Sequence, residues 1–254
     1  MIAMNAIAER PAADDQIADD RLLERVLTGS FAHLAGRIVL GPSPGPQAIA
    51  AARLLEGPAF TEALDQHLAP FGKADRRAAA SLWSQYYFGA LIGAVAAIGT
   101  AGGRTALPVD PDAVGIVLEG GLPTGLALPH AGRIAHPSET AQDFITLFRS
   151  HLTPMVDRLS IHAKASPRLF WGNAAALFGW ALGEACAMRP EAGDPAALRR
   201  SLLEEALWPD GGPNPLFGAF KPRGDSGTAV RKVCCVRYLL PGIPGCGPTC
   251  PLGR

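Results

Sequence analysis

Four of the five cysteines in this 254-residue sequence fall between Cys234 and Cys250. Cys234 and Cys235 are adjacent, ten residues separate Cys235 from Cys246, and three separate Cys246 from Cys250. Four thiols in one short segment match the donor set of a four-thiolate metal centre. A zinc knuckle usually draws its thiolates from two C-x2-C hooks, each aiming two sulfurs at one ion. Neighbouring side chains on an extended strand point to opposite faces, so the adjacent pair must sit in a bend or bind unusually. A two-iron cluster relaxes that demand, because its four thiolates attach to two irons. Structural zinc, two disulfides and unpaired exposed cysteines are the other readings. The N-terminal MIAMNAIAERPAADDQIADD carries no basic run ahead of an apolar core, which predicts a cytoplasmic location, where disulfides are rare.

The charges around the thiols bear on the same chemistry. Residues 221–254 hold Lys221, Arg223, Arg231, Lys232, Arg237 and Arg254 against the single acid Asp225. A [2Fe-2S] core in four thiolates is net negative and more so when reduced, so Arg231, Lys232 and Arg237 would raise its potential. A solvated basic surface is the plainer alternative. Pro241, Pro244, Pro248 and Pro251, with Gly242, Gly245 and Gly247, set tight turns whose N–H groups could point at sulfur.

With its C-C-x10-C ending, the sequence resembles the ferric siderophore reductases of the FhuF type, cytoplasmic bacterial [2Fe-2S] proteins. RLFWGNAAALFGWALG is similar to the family's penultimate helix region, and SLWSQYYFGAL shares its general texture. Members typically close with two residues between the third and fourth cysteines, where this chain has Gly247, Pro248 and Thr249. The resemblance implies a [2Fe-2S] cluster on Cys234, Cys235, Cys246 and Cys250, with no separate catalytic group. It also implies one-electron reduction of Fe(III) in a siderophore, the hydroxamate type being expected, and release of Fe(II) in the cytoplasm. An electron donor such as a ferredoxin or flavin reductase would be the partner. Arg168, Trp171 and Asn173 combine charge, aromatic surface and an amide that could face a siderophore; the alternative is a helix start with a buried Trp. Two rival functions are a zinc-stabilised binding protein without redox activity and a membrane-associated accessory protein.

The elements that must position these groups follow from periodicity and breakers. Apolar residues are 48% and charged residues 18% of the chain, a globular composition, and 23 basic against 23 acidic side chains leave no excess to hold nucleic acid. Spacings of three and four predict an amphipathic helix over 19–39, then short helices near 47–55 and 60–68. A long apolar helix is expected over 75–98. Its uncharged stretch 78–103 is long enough to span a bilayer and admits peripheral inner-membrane association, but its Ala, Gly, Ser81, Ser84 and Gln85 favour a buried core helix. Glycine and proline then punctuate two short strands, 113–118 and 126–128. Helices resume over 141–152, over 168–188 behind the Ser166–Pro167 start signal, and over 196–207 behind Asp194–Pro195. The expected fold is α+β, mainly helical with a short central antiparallel sheet. Residues 1–208 would form a siderophore-reductase-like domain and 209–254 a small C-terminal iron–sulfur lobe.

Other patterns carry no function. GDSG at 224–227 lacks the next Gly and a matching His, and reads as a turn. The six histidines show no i, i+4 pair; His130 and His136, flanking a loop, are the one pair worth revisiting. Aromatic Trp83, Tyr86 and Tyr87 are read as core, and Cys186 as an inert helix residue. No G-x-G-x-x-G follows a strand.

Overall fold

The computed structural model describes residues 13–41, 48–134, 139–190, 195–222 and 229–253; the GDSG segment and His136 lie outside them. The single helix expected over 19–39 resolves into α1 (Ala13–Val26), a 3-10 turn (Gly29–Leu34) and strand β1 (Ile38–Leu40). Gly29, at φ 51, ends the helical path. The helix expected near 47–55 likewise begins as a strand, β2 (Ala48–Ala50), before α2 (Ala51–Glu56). α3 (Ala59–Leu68) follows, then α4 (Arg76–Ala94), which continues as a π-helical stretch to Ala101. Asp75 caps α4 as its spacing suggests: its carboxylate accepts from Arg77 N at 2.8 Å and Ala78 N at 3.4 Å.

After β3 (Arg104–Thr105), strands β4 (Gly115–Glu119) and β5 (Leu122–Leu128) form a hairpin, and β6 (Arg133–Ile134) pairs with β3. The main sheet has the order β1-β5-β4-β2. It is mixed, which corrects the expected antiparallel sheet: β1 runs parallel to β5, because the strand feeding it arrives from α1 rather than from a hairpin. α5 (Thr140–Thr146), a π turn (Leu147–Leu152) and α6 (Thr153–Ala163) run in succession, and Pro154, which has no N–H to donate, stands just after the π turn. α7 (Pro167–Met188) starts on Ser166, whose hydroxyl accepts from Arg168 N. α8 (Pro195–Arg199) leads to the C-terminal segment, which carries the β7–β8 hairpin (Phe220–Pro222 and Ala229–Arg231).

α4 and α7 are the spine of the core. Trp83, Tyr87, Phe88, Phe170 and Phe178 are fully buried, joined by Phe60, Phe144 and Phe148. The helix Arg76–Ala101 is apolar and long enough to cross a membrane, but 83% of its apolar window is buried inside the fold, so it serves as the core helix. A second, smaller apolar cluster of Ala78, Ala79, Leu82 and Leu240, flanked by Val236 and Ile243, docks the cysteine tail on α4. Burial of a leucine such as Leu240 stabilises by roughly 1.5–3 kcal/mol.

Candidate metal centre

β8 delivers the chain to the cysteines between two fixed points. Arg231 N donates to Thr249 O at 2.9 Å, tying the entry of the segment to its end, and Lys232 N donates to Ala219 O at 2.8 Å. The chain bends at Lys232 and Val233, and Val236 then adopts φ 53, ψ 7. A β-branched residue in the left-handed region is an outlier costing on the order of 1–3 kcal/mol, a cost typical of functional sites. Its N–H donates to Cys234 Sγ at 3.3 Å. The adjacent cysteines thus lie between a bend at 232–233 and the left-handed Val236, and a backbone donor is aimed at one of the sulfurs.

The return arm is held as firmly. Arg237 Nε donates to Pro244 O at 2.8 Å, and its Nη1 donates to Gln85 Oε1 on α4 at 3.1 Å. The three-residue spacer before the last cysteine is taken up by a turn over 247–250, closed by Cys250 N donating to Gly247 O at 3.0 Å. Pro248 at its second position suits the turn's φ, and Gly247, at φ 77, enters it with a backbone that few other residues adopt.

Cys235 and Cys250 are buried, while Cys234 and Cys246 are half-buried. Cys250 and Cys235 act on the Cys246 thiol, and Cys235 and Cys250 on that of Cys234, so the four cysteines share one electrostatic neighbourhood. Burial pushes the Cys246 thiol up to about 11; the neighbouring thiols add to the rise and the Arg231 guanidinium opposes it. Burial raises Cys234 as well, offset in part by the Val236 N–H and by Arg231. Among the described residues no set of three or more His, Cys, Asp or Glu side chains is grouped to hold a metal ion. The tail thus presents neighbouring donors, two of them with raised thiols, rather than a finished coordination polyhedron.

Arg231 shows what this donor set lacks. Its side chain is 3% exposed; Nη1 donates to Asn173 Oδ1 at 2.7 Å, and Nε, buried, has no acceptor. Among the described residues no carboxylate forms an ion pair with it. A buried cation without a counter-charge costs several kcal/mol. A net-negative centre held by the four sulfurs would supply the missing charge and take the place of the thiol protons, so these residues fit an iron–sulfur cluster.

Asn173 anchors this arrangement from behind. Fully buried on α7, it donates from Nδ2 to Ser81 O at 3.2 Å, Ser81 Oγ at 2.9 Å and Ser84 Oγ at 3.0 Å on α4. Its amide faces Arg231 and the core, not an open surface. Arg168 and Trp171 are placed differently: they line a cavity of about 310 Å³ with Phe217 and Lys232, Arg168 being exposed and Trp171 buried. The three residues singled out together therefore divide, two at a cavity and one in the interior. Ser81 and Ser84 were legible only as polar interruptions of an apolar helix; their spacing of three is the signal that they share a face.

The remaining candidates take structural places. His151 is fully buried between Tyr87 and Val109, and His130 Nδ1 accepts from Gly132 N at 3.0 Å. Cys186 is half-buried on α7, its thiol raised by burial. Trp83 and Tyr87 are core as expected, but Tyr86 is 44% exposed, because it faces an open cleft rather than the packed interior.

A family model described as "Ferric iron reductase FhuF-like transporter" matches residues 81–224, more than half of the chain. The matched stretch ends before the cysteine tail. A ferric siderophore reductase of Escherichia coli (strain K12) is 33% identical over 113 residues, which are 44% of this chain and 42% of that protein. The chain therefore matches less than half the length of that curated relative. Among solved structures, the ATP-bound aerobactin synthetase IucA of Klebsiella pneumoniae superimposes with a TM-score of 0.53 at 14% identity, covering 83% of this chain and 50% of that one. That likeness is one of fold.

Proposed function

The chain belongs to the FhuF-like ferric iron reductase family, and on that premise we propose that it reduces siderophore-bound Fe(III) by one electron in the cytoplasm. Hard oxygen ligands hold Fe(III) far more tightly than Fe(II), so an added electron loosens a metal that competing ligands could not extract. The observation that carries the reading is the four-cysteine segment beside a buried arginine that, among the described residues, has no acidic partner. Cys234, Cys235, Cys246 and Cys250 are the ligands of a [2Fe-2S] cluster, which supplies a one-electron relay between donor and substrate when bound.

The chain's own residues set the conditions. The Val236 N–H donates to the Cys234 sulfur, which favours its thiolate form. Arg231 offsets negative charge at the pocket and so favours the more reduced state. Asn173 holds the guanidinium in place, its own donors engaged by Ser81 and Ser84. Residues 209–254 form the cluster-binding lobe and residues 1–208 the body that carries it. The exposed cations of Arg168 and Lys232 would meet an acidic donor, a ferredoxin or flavin reductase.

Anaerobic purification followed by visible absorption, EPR of the reduced protein, and iron, sulfide and zinc analysis tests the proposal. The expected result is brown protein with iron and sulfide in equal amounts and a reducible paramagnetic centre. Colourless protein holding zinc, even after attempted reconstitution, would overturn it and leave a zinc-stabilised binding protein.

A further inference from the structure

A cleft of about 370 Å³ opens where the free side of α4 meets α7 and the cysteine tail. Its lining includes Tyr86, Trp180, Arg37, Arg237, Ile243 and Pro244 and, among the described residues, no Asp or Glu. Tyr86 and Trp180 are 44% and 39% exposed, whereas Trp83 and Tyr87 beside them are fully buried. Trp180 is nevertheless held in place, packed on Phe31 and His33 at ring separations of 5.6 and 5.9 Å. The cleft thus offers two steadied aromatic surfaces to solvent.

Its charge is one-sided. Arg237 donates to a carbonyl and to an amide oxygen, both neutral, so its positive charge is not compensated by these bonds. Among the described residues neither Arg37 nor Arg237 forms an ion pair with a carboxylate. Arg237, Ile243 and Pro244 also lie in the ten-residue loop between Cys235 and Cys246. A ligand in this cleft therefore touches the loop that spans two of the cluster's proposed ligands.

We propose that this cleft seats the ferric chelate and selects chelates of net negative charge, their planar ligand faces lying on Tyr86 and Trp180. The inference rests on the reductase reading for the identity of the metal, and it departs from the expected hydroxamate type. A neutral or cationic trihydroxamate would leave both guanidinium groups without a counter-charge, while catecholate or carboxylate donors would neutralise them. It also places the substrate away from the Arg168–Trp171 cavity.

Isothermal titration calorimetry with redox-inert gallium(III) complexes tests this without requiring turnover. The probes are a hexadentate tris-catecholate, a trianion, and a neutral hexadentate tris-hydroxamate. The trianion is expected to bind at least about tenfold more tightly at low salt, about 1.4 kcal/mol, with the preference shrinking as salt is raised. Arg37→Gln, an exposed position whose loss spares the tail, should remove most of that preference. Tyr86→Ala and Trp180→Ala should weaken both complexes, and Trp171→Ala neither. Equal or tighter binding of the neutral complex, no binding of either, or a loss confined to Trp171→Ala would overturn the assignment. Iron and sulfide analysis of the same preparation separates the two readings. Cluster-loaded protein that ignores both probes refutes the cleft alone, and cluster-free protein that binds the trianion as described refutes the reductase alone.

Discussion

Two buried polar centres lean on α4, and they are built to opposite ends. In the first, the Tyr87 hydroxyl donates to His151 Nε2 at 2.6 Å while His151 Nδ1 donates to Val109 O at 2.7 Å. Both ring nitrogens are satisfied, and burial pushes the imidazole down to about 4, so it is neutral and closed. In the second, Ser81 and Ser84 take the donors of Asn173, whose oxygen takes Arg231, and there the chain of partners stops with a full charge and a free Nε. The π turn at 147–152 that carries His151 is structural; the arginine that ends the other chain faces the thiols. A polar group buried for stability is saturated by its neighbours, and one buried for function leaves a valence to be filled.

The severest break falls on the open centre. Cys250→Ser is expected to abolish stoichiometric iron and sulfide and with them reductase turnover, while circular dichroism and the near-wild-type unfolding of the body persist. Retained cluster and activity would remove Cys250 from the ligand set. A comparable injury to the closed centre should change stability and not redox behaviour. His151 has its folded pKa lowered to about 4 from 6.5, so the unfolded chain binds more protons between those values. The stability it contributes is full above about 6.5 and is lost as the pH falls toward 4, about 3 kcal/mol in all. Asp143 runs the other way: burial raises it to about 6, so stability is gained as pH falls below that value. His151→Gln should therefore flatten the difference between denaturant unfolding free energies at pH 7 and pH 4.5 by about 2–3 kcal/mol, with an unchanged potential.

A subtler change sharpens the contrast. Arg231→Gln keeps a hydrogen-bonding side chain but removes the cation, so the potential should fall by about 60 mV, the one-electron equivalent of a tenfold change. Because Arg231 is buried, the shift should persist in high salt, unlike the effect of neutralising the exposed Lys232. An unchanged potential in protein with full cluster content would make Arg231 a packing residue.

What was legible in the sequence was local. The Asp75 and Ser166 caps and the long apolar helix depend on a few neighbouring residues, and all are present. β1 and β2 are hidden inside helical spacing because three-residue strands carry too little periodicity; their pairing partners, β5 and β4, lie far along the chain. Helical spacing likewise put Trp83, Tyr86 and Tyr87 on one element without saying which face the rest of the fold would cover. Arg231 was one of several basic residues in the tail, and nothing in its own neighbourhood marks it as buried. Its buried place is shared with Asn173, 58 positions away on α7.

The cap on α7 gives the finest test of whether the two centres are independent. Ser166 accepts from Arg168 N at 3.3 Å, a long bond, and starts the helix that carries Asn173. Ser166→Ala should lower stability by about 1 kcal/mol or less, toward the weaker end for capping losses, and Ser166→Asp should restore it by accepting the same N–H and favouring the helix N-terminus. Asn173 lies two turns into α7 and is held by three contacts to α4, so fraying of the first turn should not reach it. Cluster content and potential are therefore expected to match wild type in both variants. A shift in potential with Ser166→Ala that Ser166→Asp reverses would mean that the end of α7 sets the position of Arg231, and the open centre would then extend from the thiols to the helix cap.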